Sequence, residues 1–164
     1  NLRTAHVDDA DKTWRDAVSI ASRCALVRLS EADAALMRPG VSADDVCREL
    51  LRGTRTRVVV LTRSAAGATA FGEDFEVSAE PREVNVADTI GAGDAFTAGL
   101  LAMLDEARLL DEKRLPTDAA TWAALLAGAV EIASITCERR GANPPTRDEV
   151  SADFNRHVAH VRQR

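Results

Sequence analysis

Apolar positions along this chain switch between two spacings, and the switches mark out its elements. Trp14, Ala17, Val18, Ile20 and Ala21 recur at helical spacing over residues near 9–23. Ala25-Leu-Val-Arg-Leu29 is short, apolar and strand-like. Ser30-x-x-Asp33 then opens a helix as a near capping box, with Asp where Glu or Gln is usual. Ser42-Ala-Asp-Asp opens another, with acids in its first turn and Gly53 just past its end. Thr56-Arg-Val-Val-Val-Leu61 is β-branched and continuous, the pattern of a strand buried on both faces. Residues 67–79 alternate weakly about Gly72-Glu-Asp, as a hairpin does. The run 95–104 is apolar enough for a buried helix. Thr117 or Asp118 caps a long apolar helix through Trp122, Leu125, Leu126, Val130, Ile132 and Ile135, which stops at Arg139-Arg140-Gly141. Pro144-Pro145 enforces a loop, and Thr146-x-x-Glu149 is a full capping box for a last, mostly polar helix.

Strands alternating with helices predict an α/β layered fold with a mostly parallel sheet flanked by helices. The 164 residues make one domain's worth of chain, long enough to bury a core. Hydrophobic residues at 46% and charged ones at 29% are an ordinary globular balance, without repeats or low-complexity tracts. No apolar run approaches bilayer-spanning length and no signal peptide opens the chain, so no membrane partner is expected. A formal charge of −5 argues against a nucleic-acid partner, and 4% aromatics leave little for base stacking. The arginines at 52, 55, 57 and 63 read as a solvated edge. Cys24, Cys47 and Cys137 lack any Cys-x-x-Cys spacing and read as reduced core residues of a cytoplasmic protein. His157 and His160 share a helix face, but no Cys or carboxylate completes a metal set, and they read as surface residues. Trp14 and Trp122 read as core.

Candidate chemistry concentrates in Asp88-Thr-Ile-Gly-Ala-Gly-Asp-Ala-Phe-Thr-Ala-Gly99. Gly91, Ala92 and Gly93 carry little or no side chain, so their N–H groups can close on a ligand. The apolar run behind them puts those groups at a helix N-terminus, where unsatisfied N–H groups and the dipole attract phosphate. Asp94 sits in the first turn of the same helix. A bare phosphate cradle has no use for a negative side chain; an acid that takes a proton from a hydroxyl attacking phosphorus belongs there. A P-loop would end Gly-Lys-Ser/Thr, but Asp94-Ala95 follows the last glycine. A dinucleotide fingerprint needs a third glycine where Phe96 stands.

The string Asp-Thr-x-Gly-Ala-Gly-Asp-Ala-Phe resembles the signature of the ribokinase-like (PfkB) carbohydrate kinases, and the resemblance runs along nearly the whole chain in the order of that family's C-terminal half. Asn1-Leu-Arg3 resembles the end of the Asp-x-Asn-x-Arg strand motif of fructokinase-like members. Ser30-Glu-Ala-Asp33 occupies the place of Asn-x-x-Glu, whose acidic end organises magnesium through water. Residues 60–67 resemble the nucleotide-side turn Thr-x-Gly-x-x-Gly, with Ser64 at its first glycine. The segment 137–145 is similar to the loop that closes the nucleotide site and, with residues 88–90, holds a monovalent cation. The resemblance implies ATP, Mg²⁺ and K⁺. It makes Asp94 the general base and the Gly91, Ala92 and Gly93 amides the anion hole. It assigns Asp88, the Ile90 carbonyl and the carbonyls of Thr136, Arg139 and Gly141 to the monovalent cation, and Asp33 to magnesium through water. It places Thr62, Ser64 and Gly67 along the nucleotide, with Val130 where many members carry an asparagine near adenine and Asn143 in the closing loop.

Ordinary structural roles stand beside several of these. Asp33 reads first as a capping-box acid, and Asp88 also reads as a loop cap; Thr136, Arg139 and Gly141 serve equally as a helix C-cap. The chain starts abruptly at Asn1, and we expect it to be the C-terminal nucleotide-binding and catalytic part of a protein about twice as long. In the family, the sugar-binding and lid half and a homodimer surface lie in the N-terminal half. The expected activity is ATP-dependent phosphorylation of a small sugar, fructokinase-like. A nucleoside or sugar-acid kinase of the same fold, or a non-catalytic nucleotide-binding fragment, are the alternatives.

Overall fold

The computed structural model describes residues 9–81, 83–110, 115–150 and 152–162; Asn1–Arg3 lie outside them. Several helices start where a polar side chain accepts one of their first N–H groups. Asp9 accepts the Lys12 N–H at 2.9 Å and opens α1, Ala10–Ala21. Strand β1 is Leu26–Ser30, and its last residue caps α2, Glu31–Met37. Ser42 caps α3, Ala43–Gly53, through the Asp45 N–H. Strand β2 is Val58–Thr62; a short 3₁₀ turn, Ser64–Ala66, leads to β3, Ala68–Phe71, and β4 is Glu76–Ala79. Helix α4 is Ala92–Glu106 and α5, Ala119–Cys137, is capped by Asp118 through the Thr121 N–H at 2.8 Å. The last helix, α6, is Ala152–Arg162.

The strands lie in the order β1-β2-β3-β4. β1 and β2 are parallel, joined by the α2–α3 crossover, while the hairpin at residues 67–79 turns β3 and β4 antiparallel. The α/β layering holds, and the sheet is mixed rather than mostly parallel. Helices cover both faces. On β2, Val58 and Val60 face a core shared with α4, α5 and α6, and Val59 and Leu61 face one shared with α1, α2 and α3. That two-sided burial is what the continuous β-branched run implied.

Helix α5 is the centre of the larger core, with Trp122, Leu125, Leu126 and Ala129 fully buried. Its 19 residues have a mean hydropathy of 1.5, so by length and composition it is apolar enough to cross a membrane. The absence of such a run, expected from the sequence, is therefore corrected. The helix is apolar on nearly every side because α4, α6, β3 and β4 pack around it.

Three further expectations change. The Thr146 capping box closes a 3₁₀ turn, Arg147–Glu149, rather than α6, because Val150 is extended at φ −77° and ψ 149°. The Arg139 guanidinium grips Glu149 at 2.9 and 3.3 Å and helps hold that turn. Arg63 is not on a solvated edge: it is half-buried, bonded to Glu31 at 3.1 Å and to Thr69 at 3.2 Å, and paired with Asp44. Trp122 is core, but Trp14 is only half-buried, with the Arg38 guanidinium 5.0 Å from its ring centre.

Candidate active site

The parallel strands β1 and β2 end side by side, Ser30 opposite Thr62, and a cavity of about 680 Å³ opens at those ends. The carboxyl ends of parallel strands are where open α/β sheets bind ligands. Arg28, Ser30 and Thr62 supply the strand wall, Ser64 and Gly67 the turn, and Gly93 and Phe96 the start of α4. Val130, Ser134 and Cys137 of α5 form the opposite side. Four of the expected nucleotide residues, Thr62, Ser64, Gly67 and Val130, are thus brought together. Asn143 is exposed and outside this wall; its N–H donates to the Gly141 carbonyl at 2.9 Å.

The turn between β2 and β3 is held in an unusual backbone shape. Ser64 has φ 48° and Gly67 φ 80°. A Cβ at Gly67 would lie 2.0 Å from the Ala79 carbonyl oxygen, so only glycine fits. Ser64 takes a left-handed conformation that the glycine of the family pattern would adopt without strain.

Gly91 is the N-cap of α4 at φ 79°, and a Cβ there would sit 2.8 Å from the Ala142 Cβ. Helices α1, α2, α3 and α5 each have a side-chain cap, whereas α4 has none. Its N-terminus, left uncapped by any side chain, opens on the cavity through Ala92 and Gly93. The Ala92 N–H makes a long 3.3 Å contact with the Thr89 carbonyl, so it is partly engaged at home. Asp94 stands on the first turn, exposed, and is not among the residues of the cavity wall.

Asp88 clasps two distant segments. Its Oδ1 accepts the Ile90 N–H at 3.0 Å and its Oδ2 accepts the Gly141 N–H at 2.9 Å. The Cys137 carbonyl accepts the N–H groups of Ala87 and Asp88 at 2.8 and 3.2 Å. The N–H groups of Ile90, first, and then Gly141 hold the Asp88 carboxyl below its ordinary range. Thr136 is fully buried and its carbonyl accepts the Arg139 N–H at 3.1 Å. Asp88 is thereby tied to the end of α5 and the loop after it. Burial, then Asp88, raises the Cys137 thiol pKa, which favours an inert thiol there.

Asp33 is 7% exposed, and its Oδ2 accepts both the N–H and the hydroxyl of Ser30, at 2.9 and 2.7 Å. The capping role is realised. No cluster of three His, Cys, Asp or Glu able to hold a metal occurs among the described residues.

One residue of this site was not anticipated. Arg28 points into the cavity wall, its Nη2 donating to Thr62 Oγ1 at 2.8 Å. Burial lowers the guanidinium pKa, opposed by the carboxylates of Asp33 and Asp94. The available signal was a cation inside an apolar strand, two residues before Ser30 and hence on the same face.

Comparison with known proteins gives this geometry a family. Residues 7–149 match the model of the pfkB family carbohydrate kinases. The chain belongs to that family. The pfkB relatives include the probable fructokinase-6, chloroplastic, of Arabidopsis thaliana, 31% identical over 156 residues, which are 92% of this chain and 38% of that protein. A fructokinase of Rhizobium leguminosarum bv. trifolii is 30% identical over 116 residues, 70% of this chain and 35% of the relative. The chain thus spans less than half the length of either. Among solved structures, aminoimidazole riboside kinase from Salmonella enterica, complexed with aminoimidazole riboside and an ATP analog, superposes with a TM-score of 0.75 at 22% identity, over 96% of this chain and 50% of that one. A double mutant of the Vibrio cholerae fructokinase, in a fructose, ADP and potassium bound form, gives a TM-score of 0.69 at 21% identity, over 86% and 43%. The ribokinase-like fold is shared.

Proposed function

We propose that this chain carries the nucleotide-binding and catalytic part of an ATP-dependent sugar kinase, most like a fructokinase. The observation that carries this reading is the N-terminus of α4: it has no side-chain cap, it opens on the cavity, and a carboxylate sits on its first turn. Amides so placed stabilise charge on a phosphoryl group in flight. Asp94 is exposed on the first turn and does not line the cavity, which leaves its carboxylate open to an acceptor hydroxyl. Its carboxylate takes the proton as the sugar oxygen bonds to the γ-phosphorus and the bond to the β,γ-bridging oxygen breaks, releasing ADP. Thr62, Ser64 and Gly67 line the polyphosphate path, and Val130 offers an apolar surface to the base. Phosphoryl transfer depends on positioning and electrostatics, which this set supplies.

A monovalent cation held by Asp88 and the carbonyls of Ile90, Thr136, Arg139 and Gly141 would add fixed positive charge next to the anion hole. Asp88 as clasp serves the same end without it, tying residues 139–141 to the entrance of α4. A magnesium ion would arrive with the nucleotide. We assign the sugar contacts, and a homodimer surface, to the part of the longer fructokinase relatives that this chain does not cover.

Replacing the base tests the reading. Asp94→Asn should lower kcat by about two to four orders of magnitude with ATP affinity kept. The assay is a phosphorylation screen over fructose, ribose, 2-keto-3-deoxygluconate and adenosine, using the protein at its natural length. Turnover within threefold of the parent would overturn the mechanism, and preference for adenosine would move the substrate class.

A further inference from the structure

We infer that Ser134 reads the base of the nucleotide, its hydroxyl making a hydrogen bond to the edge of the adenine ring when ATP fills the cavity. This rests on the kinase reading above and adds a specificity-determining residue to it. Val130, Ser134 and Cys137 lie four and then three residues apart on α5, so they share one stripe of the helix, and all three line the cavity. Ser134 is 6% exposed, and its hydroxyl has no hydrogen-bond partner among the described residues. Serine and threonine hydroxyls inside helices can fold back on the carbonyl of the preceding turn. Thr136, on the same helix, does so to Ile132 at 2.8 Å, and Thr97 of α4 does so to Gly93 at 2.9 Å. Ser134 makes no such bond to Val130. A buried hydroxyl left without a partner costs the folded protein stability, and serine is a poorer helix former than alanine. Both costs are offset when a ligand atom in the cavity completes the bond.

The character of the walls selects the ligand atom. At the strand ends Arg28, Thr62 and Ser64 present polar groups beside the first turn of α4, which suits phosphate. The walls around the α5 stripe are apolar: Val130 and Ala133 on α5 itself, Phe96 on α4, and Val84 and Val86 on the segment before Asp88. Apolar walls with one placed hydroxyl fit a flat heteroaromatic base, whose faces pack on aliphatic carbon and whose edge needs a polar partner. A ribose, with hydroxyls on two adjacent carbons, would set polar groups against Val130 and Ala133. A serine hydroxyl both donates and accepts, so it can meet a ring nitrogen or the exocyclic amine of adenine. A site that hydrogen-bonds such an edge discriminates against ligands that leave its buried polar atom unpaired.

The experiment compares the parent with Ser134→Ala in the protein at its natural length. Calorimetry gives affinities for ATP, 2′-deoxy-ATP and tripolyphosphate, which has the phosphates and no base. KM for ATP, kcat and the unfolding midpoint of the free protein are measured alongside. Ser134→Ala should weaken ATP and 2′-deoxy-ATP alike by about 3–10-fold, the size of one neutral hydrogen bond, with tripolyphosphate changed by less than about twofold. KM for ATP should rise by the same factor, with a smaller change in kcat. The midpoint of the free protein should stay level or rise, because the variant removes an unpartnered hydroxyl from a helix. A loss with ATP below about twofold overturns the assignment. An equal loss for tripolyphosphate overturns it too, and a lowered midpoint with it makes Ser134 a structural residue of α5. A penalty that vanishes for 2′-deoxy-ATP puts the hydroxyl on the ribose and overturns the base contact. If the parent binds ATP but phosphorylates no sugar, while Ser134→Ala shows the base-dependent loss, Ser134 stands and the sugar-kinase reading falls. A parent that binds no nucleotide overturns both.

Discussion

Gly91→Ala tests whether the entrance to α4 and the loop after α5 are one mechanical unit. The structure gives the cost two sources. The first is backbone: at φ 79° an alanine pays about 1–2 kcal/mol for a left-handed conformation that glycine adopts freely. The second is contact: the new Cβ would stand 2.8 Å from the Ala142 Cβ and 3.1 Å from its Cα. Carbon atoms rest at about 3.5–4.0 Å, so residues 141–142 must retreat by about 0.7 Å, at an overpacking cost of about 1–2 kcal/mol. Gly141, one residue away, donates its N–H to Asp88 at 2.9 Å, so the retreat also loosens the clasp. The sum is about 2–4 kcal/mol. Urea unfolding of the parent, Gly91→Ala, Ala142→Gly and the double variant separates the two parts. Ala142→Gly removes the 2.8 Å contact, so the double variant should recover about 1–2 kcal/mol relative to additivity, while the left-handed cost remains. Strict additivity would refute the coupling, and a loss below about 1 kcal/mol for Gly91→Ala alone would refute the backbone part.

Two other outcomes follow from the same physics. Ser64→Gly should raise stability by up to about 1 kcal/mol, since relief of the left-handed strain at φ 48° slightly outweighs the extra freedom of glycine in the unfolded chain; urea midpoints check it, and a clear loss would mean the serine side chain contributes to the turn. The Glu149 carboxyl is held down to about 2 by the Thr146 N–H, the Arg139 guanidinium and the Thr146 hydroxyl. A depressed folded value means its contribution is full above the ordinary 4.5 and fades as pH falls towards about 2. The difference in unfolding midpoint between the parent and Glu149→Gln should therefore shrink over that window, and a gap independent of pH would sink the assignment.

What could be read without coordinates was whatever is local. Caps are one example: the Ser30 and Ser42 caps each couple groups three residues apart, and both are present. The hairpin at residues 67–79 and the two-sided strand β2 likewise depend on neighbours a few positions away. Arg63 was misread for the opposite reason. Its partners, Glu31 and Asp44, are 32 and 19 positions distant, and nothing in its immediate surroundings distinguishes it from the exposed Arg52, Arg55 and Arg57. The last capping box was recognised but attached to the wrong element, because Glu149 also answers to Arg139, ten residues back.

The site divides along the same line. The segment 88–99 announces amides and a carboxylate by composition alone, since small residues before an apolar run mark a helix start whose first N–H groups lack partners within the helix. Asp33 carries both roles in sequence, and its Oδ2, bonded to the N–H and hydroxyl of Ser30, realises the capping one. Arg28 is the instructive omission. In sequence it is one cation in an apolar strand; its meaning comes from Thr62, 34 positions on, and from the missing side chain of Gly93, further still. A glycine in a phosphate loop is usually explained by what it lets the backbone do. At Gly93 the backbone is ordinary, and the absent Cβ makes room for a guanidinium from another strand. Gly93→Ala should therefore act on Arg28 rather than on the loop, since its Cβ would stand 2.8 Å from Nη2; unfolding midpoints of Gly93→Ala, Arg28→Gln and the double variant check the coupling, and strict additivity would refute it.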